Sequence, residues 1–144
     1  MVKSYMEKVE VEEKTIPVVK DFMIDQPVTI PLGEDIYKVM RTLLQYKTTG
    51  APVLDEAGNL AGFISEKDCL RLVALNAYHG SRRTGKVEEY MTCKDALTTV
   101  TPETGLYKVA QLFIQLPYKK LIVTSDDRLI GLVRRDDVLK AVID

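Results

Sequence analysis

The chain has 144 residues, enough for one ordinary domain or for two small units sharing a core. Apolar residues make up 46% and charged residues 28%, the profile of a globular chain and not of a disordered one. A net charge of −1 excludes the basic excess that nucleic acid or an anionic membrane would call for, and no apolar run approaches a bilayer span.

In chain order, residues 1–17 read as an N-terminal arm, charged and weakly patterned over 1–14, either frayed helix or extended. The start reaches acids within a few residues and lacks the apolar core of a signal peptide. Cys69 and Cys93 do not make a disulfide framework, so reduced thiols and a cytoplasmic location are expected. Pro17 biases its neighbour toward extended backbone; Val19 to Met23 reads as one helical turn, and Val28, Thr29 and Ile30 as a short strand. An amphipathic helix comes next, from about Glu34 to Tyr46, because Ile36, Val39, Met40, Leu43 and Leu44 recur on one face. Gly50 is read as closing it, and Ala51 to Leu54 as a strand. A hairpin turn at Asp55 to Asn59 leads to a return strand, Leu60 to Ser65, and a second helix from Glu66 to about Ala77.

The junction of that strand and helix, Gly62-Phe63-Ile64-Ser65-Glu66-Lys67-Asp68, carries the chemistry. Ser65 stands at the N-cap position and Asp68 three residues on, a capping box that needs no ligand. The same turn offers amide donors for a phosphate beside a carboxylate that could accept from a ribose diol.

Residues 79–86 are polar, hold two glycines and form a linker. Beyond it the order recurs. Val87 to Met91 answers Val19 to Met23 at an offset of 68 residues, 87 against 19. Tyr107-Lys108-Val109 answers Tyr37-Lys38-Val39, and Gly131 to Asp137 answers Gly62 to Asp68 at an offset of 69 residues, 131 against 62. Two similar units, 18–78 and 87–144, are each too small to bury a core alone, so packing on each other is expected.

With both copies in view, residues 18–144 resemble a tandem pair of cystathionine-β-synthase-type (CBS) domains, the Bateman module. The resemblance rests on Val19 to Met23, Thr29-Ile30-Pro31, Ala51 to Asp55, Gly58 to Gly62 and the Ser65/Asp68 turn, repeated in order. It implies an α/β (α+β) fold of two β-α-β-β-α units packed through their sheets with pseudo-two-fold symmetry. It also implies composite clefts for an adenine nucleotide, AMP, ADP or ATP. One cleft would use Phe63, Ser65 and Asp68 with Leu97, Tyr118, Lys119 and Lys120. There Asp68 would hold the ribose, Ser65 a phosphate or the ribose, and Lys119 or Lys120 the phosphate charge. The other would use Leu132, Arg134 and Asp137 with Val28, Thr48 and Thr49. Arg134 stands where a hydroxyl residue is expected and could either pair with a phosphate or fill the cleft.

Little else competes. His79 is the single histidine and falls in the linker, glycines form neither a P-loop nor a dinucleotide fingerprint, and the acid pairs read as caps and surface charge. No nucleophile, base and orienting group come together, so an enzyme is not expected. Two readings stand: a homodimeric nucleotide-sensing module that signals to an unidentified protein in trans, or a ligand-free structural and dimerisation module. Neither reading involves nucleic acid or a membrane.

Overall fold

The computed structural model describes residues 16–80 and 82–144, so most of the arm expected over 1–17 lies outside the described residues. The first unit runs α1 (Val19–Phe22), β1 (Ile30–Pro31), α2 (Ile36–Gln45), β2 (Gly50–Leu54), β3 (Leu60–Ser65) and α3 (Glu66–His79). After a 3₁₀ turn at Val87–Glu89 come β4 (Thr92–Cys93), β5 (Thr99–Val100), α4 (Leu106–Gln115), β6 (Lys120–Ser125), β7 (Arg128–Arg134) and α5 (Arg135–Ile143). The architecture is the expected mixed α and β fold in two repeated units, each with its own sheet.

One sheet has the order β1-β2-β3-β4 and the other β5-β6-β7. In each unit a first strand pairs in parallel with a second across a helix, and the second forms an antiparallel hairpin with the third. Residues Leu60, Ile122 and Leu132, with Leu54, Phe63, Leu97 and Leu129 around them, form an apolar seam of side chains from both units. The hairpin tips lock as well: Leu60 N donates to Asp127 O at 2.9 Å, and Arg128 Nη1 to Ala57 O at 2.7 Å.

The two units exchange a segment. Val19 is fully buried, yet in the second core, beside Val100, Leu106, Val109 and Val133. Its counterpart Val87 is fully buried in the first core, with Ile36, Val39, Leu43 and Leu72. Each crossing segment passes over a glycine of the central hairpin. A Cβ at Gly62 would strike Thr92 O and Met91 Sδ, and one at Gly131 would strike Ile24 O and Met23 Sδ. Those glycines therefore recur because a backbone lies on them.

Three local expectations change. Gly50 does not close α2; Lys47 does, at φ 52, and Gly50 instead opens β2 against the Phe63 ring, where a Cβ would not fit. The first strand is shorter than Val28 to Ile30, because only Ile30 and Pro31 pair with β2. Finally α3 reaches His79, so that histidine belongs to the helix and not the linker; Gly80, at φ 70, is its left-handed cap. The linker beyond Gly80 is fastened to the first unit: Tyr37 donates to Arg83 O, and the Arg82 guanidinium lies 3.7 Å from the Tyr37 ring centre.

Candidate functional site

Alternation along β3 buries Leu60, Gly62 and Ile64 and turns Phe63 and Ser65 outward, leaving Ser65 where the strand becomes α3. The expected capping box forms. Asp68 N donates to Ser65 Oγ at 3.3 Å, while Asp68 Oδ2 accepts from Ser65 N at 2.9 Å and from Ser65 Oγ at 3.0 Å. The other oxygen, Oδ1, accepts from Arg71 Nη1 at 2.7 Å. The partners differ in burial: the Asp68 side chain is 7% exposed and that of Arg71 is 71% exposed. Arg71 was not singled out from the sequence, although its place three residues after Asp68 on a helix is the signal for such a pair.

Beside this turn opens a cleft of about 620 Å³ between the units. It brings together all seven residues expected for the first cleft: Phe63, Ser65 and Asp68 from one unit, and Leu97, Tyr118, Lys119 and Lys120 from the other. Met40, Leu43, Leu44, Leu70 and Val73 supply apolar wall, and Lys67 adds a cation. A volume of this size suits a small organic ligand, and the mix of apolar wall with a few polar groups is that of a ligand site. Cys69 also lines it, but burial, then Asp68 and Glu66, push its thiol up to about 11, so it stays protonated at neutral pH.

Lys120 does not face this cleft alone. It lines a second, smaller cleft of about 340 Å³ as well, and its ammonium donates to Thr48 Oγ1 and to Gly50 O. Burial, followed by the Arg134 charge, lowers its pKa from the ordinary lysine value. Lys119, by contrast, is exposed at the large cleft.

The smaller cleft gathers Val28, Thr48, Thr49, Leu132 and Arg134, as expected, but Asp137 is not on its wall. Arg134 takes that carboxylate for itself. Its backbone N and its Nε donate to Asp137 Oδ2 at 2.8 and 3.2 Å, and Nη2 donates to Oδ1 at 3.0 Å. The bond to Asp137 raises the Arg134 pKa further above its ordinary value. A guanidinium fork holds both oxygens, so the carboxylate that would read a ribose in this turn is occupied.

Comparison with known proteins gives a coherent result. The family model for the CBS domain matches twice, over residues 19–75 and 87–144. "CBS domain-containing protein CBSX3, mitochondrial" of Arabidopsis thaliana is 33% identical over 113 residues, covering 76% of this chain and 53% of that protein. The chain thus spans about half the length of that relative. "Uncharacterized protein MJ1426" of Methanocaldococcus jannaschii is 30% identical over 156 residues, covering 89% of this chain and 92% of that one. Among solved structures, CBSX2 in complex with AMP superposes with a TM-score of 0.77 at 28% identity, covering 88% of this chain and 96% of that chain.

Proposed function

The chain belongs to the CBS-domain family, and on that premise we propose that it is a regulatory module without catalytic activity of its own. It binds an adenine nucleotide (AMP, ADP or ATP) in the 620 Å³ cleft and passes the occupancy of that cleft to a partner protein in trans. One observation carries the reading: the Ser65/Asp68 turn of one unit and Leu97, Tyr118 and Lys119 of the other line a single cleft. In it Asp68 accepts from the ribose hydroxyls, the apolar walls enclose the base, and Lys119 meets the phosphate. The AMP complex of CBSX2 supports the ligand class.

Among the described residues no helix is long and apolar enough to cross a membrane. Helix faces outside the cleft also leave apolar side chains exposed, including Leu75 and Tyr78 in the first unit and Ile114, Leu139 and Val142 in the second. Their burial in a homodimer is part of the proposal, and light scattering of a monodisperse monomer at tens of micromolar would refute that part.

The test of ligand binding is thermal unfolding with adenosine, AMP, ADP and ATP. A ligand at a hundred times its Kd stabilises the folded state by about 2.7 kcal/mol. No shift with any of the four would leave the second reading, a structural and dimerisation module. That alternative has its own support, because Asp68 already accepts three hydrogen bonds from within its own helix turn.

A further inference from the structure

The smaller cleft does not have the chemistry of the larger one. Its wall carries three cations, Lys47, Lys120 and Arg134, and no carboxylate. Among the described residues neither Lys47 nor Lys120 forms an ion pair, and Arg134 pairs only with Asp137, which does not line the cleft. Lys120 and Arg134 are direct partners across β6 and β7, so two like charges are held side by side in the sheet. Lys47 is fixed on the rim by its left-handed backbone at φ 52, and Thr48 adds a hydroxyl. At about 340 Å³ the space is little more than half that of the larger cleft. The groups that would read a nucleoside are missing: Asp137 is spent on Arg134, and no exposed ring lies beside it other than Tyr46 at the edge.

We infer that the smaller cleft is a site for a phosphate-type oxyanion that needs no nucleoside, with Lys47, Lys120 and Arg134 as its cationic contacts. Bringing such an anion between Lys120 and Arg134 relieves their repulsion, which gives it a differential affinity for this place over the open surface. Pyrophosphate suits several donors better than a monoanion does, because it offers oxygens on two centres to Lys120 and Arg134 on the sheet and Lys47 on the rim. The site shares Lys120 with the larger cleft, but Lys47 and Arg134 line the smaller one alone, so the two are separable by experiment.

The experiment is calorimetric titration of the full chain with pyrophosphate at fixed ionic strength, alone and after saturation with adenosine. Lys47→Gln, Arg134→Gln and, as a larger-cleft control, Lys119→Gln are titrated alongside. The expected result is saturable pyrophosphate binding with one site per chain, weakened at least about tenfold by Lys47→Gln and by Arg134→Gln, and unchanged by Lys119→Gln or by adenosine. Lys47 is exposed, so its variant keeps the test decisive if loss of the Arg134–Asp137 pair unfolds the other. No saturable heat, binding indifferent to Lys47→Gln, or loss on Lys119→Gln would each overturn the assignment. So would binding of ATP, but not pyrophosphate, that depends on Lys47. Failure of adenosine to bind would count against the nucleotide reading and leave the pyrophosphate result standing on its own.

Discussion

Asp68→Asn separates ligand recognition from helix capping, and the structure sets the size of both effects. The carboxylate accepts from Ser65 N, Ser65 Oγ and Arg71 Nη1, at 2.9, 3.0 and 2.7 Å. An amide in its place keeps an acceptor for Ser65 N but loses the charge at the helix N-terminus, worth about 0.3–1 kcal/mol. It also loses the Arg71 pair, which contributes no more than about 0–1 kcal/mol because the guanidinium is largely in water. The expected loss of stability is therefore about 0.3–2 kcal/mol, by denaturant unfolding with linear extrapolation. Binding should suffer more. A ribose diol on this carboxylate makes two charge-assisted hydrogen bonds at about 1.5–3 kcal/mol each, so AMP affinity should fall by roughly 10²-fold or more. Arg71→Ala completes the argument, since Arg71 occupies the oxygen that a second ribose hydroxyl needs. Removing it should leave AMP affinity unchanged or raise it by up to about fivefold, the worth of an exposed ion pair. The reasoning fails if Asp68→Asn loses the expected stability while its AMP affinity, measured by calorimetry, equals that of the wild type.

AMP should bind more tightly than adenosine at low salt, and Lys119→Gln should close that gap by about tenfold while leaving adenosine unaffected; equal affinities in the wild type would remove the phosphate role. Cys93, which is exposed, should be alkylated by iodoacetamide at pH 8 well before Cys69, whose thiol is pushed up to about 11. Mass spectrometry of the labelled peptides decides it, and comparable rates would refute the burial argument. Lys120→Met should be more stable than the wild type at pH 7 by about 0.2–1 kcal/mol, because it removes a like charge opposite Arg134. Thr48 Oγ1 still donates to Gly50 O, so that carbonyl keeps a partner. Since the pKa of Lys120 is lowered in the folded state, the wild type should regain ground as pH rises from that lowered value toward the unfolded one. A variant less stable than the wild type at neutral pH would refute this.

What the sequence disclosed and what it withheld divide along physical range. The Ser65/Asp68 box was legible because capping joins residues three apart and depends on nothing else. The helix faces were legible for the same reason, with Ile36, Val39 and Leu43 buried as their spacing requires. Gly50 is not the helix stop that its place in the sequence suggests, because Lys47 takes the left-handed turn and Gly50 answers to the Phe63 ring thirteen residues away. The exchange of Val19 and Val87 between cores left no local pattern at all. Their repetition was visible, but which core each entered depends on a crossing that only the packed sheets define. Lys120 was harder still: its side chain serves both clefts, and a residue at a shared wall has no signature in a list of neighbours.

The same repeat shows how one substitution divides two sites that symmetry would make alike. Gly62 to Asp68 and Gly131 to Asp137 are equivalent strand-to-helix turns, and in both the acid at the third helical position accepts from the backbone N of the residue that precedes the helix. In the first turn that residue is Ser65, whose short side chain stays inside the box, so that the other carboxylate oxygen is held only by Arg71, a largely exposed side chain. In the second it is Arg134, long enough to fold back and close a bidentate pair on Asp137. The cost of burying Asp137 is met within the turn, so its charge is no longer available to a ligand's hydroxyls, while the far side of the guanidinium still faces the cleft. Across the sheet, Lys120 stands where the first unit has Gly50, which adds a second cation at the same point. Two changes from the repeat, Ser to Arg and Gly to Lys, thus place two cationic donors at the point where the first turn has a hydroxyl and a glycine. The two proposed ligands, a nucleotide in the larger cleft and an oxyanion in the smaller, answer to that difference.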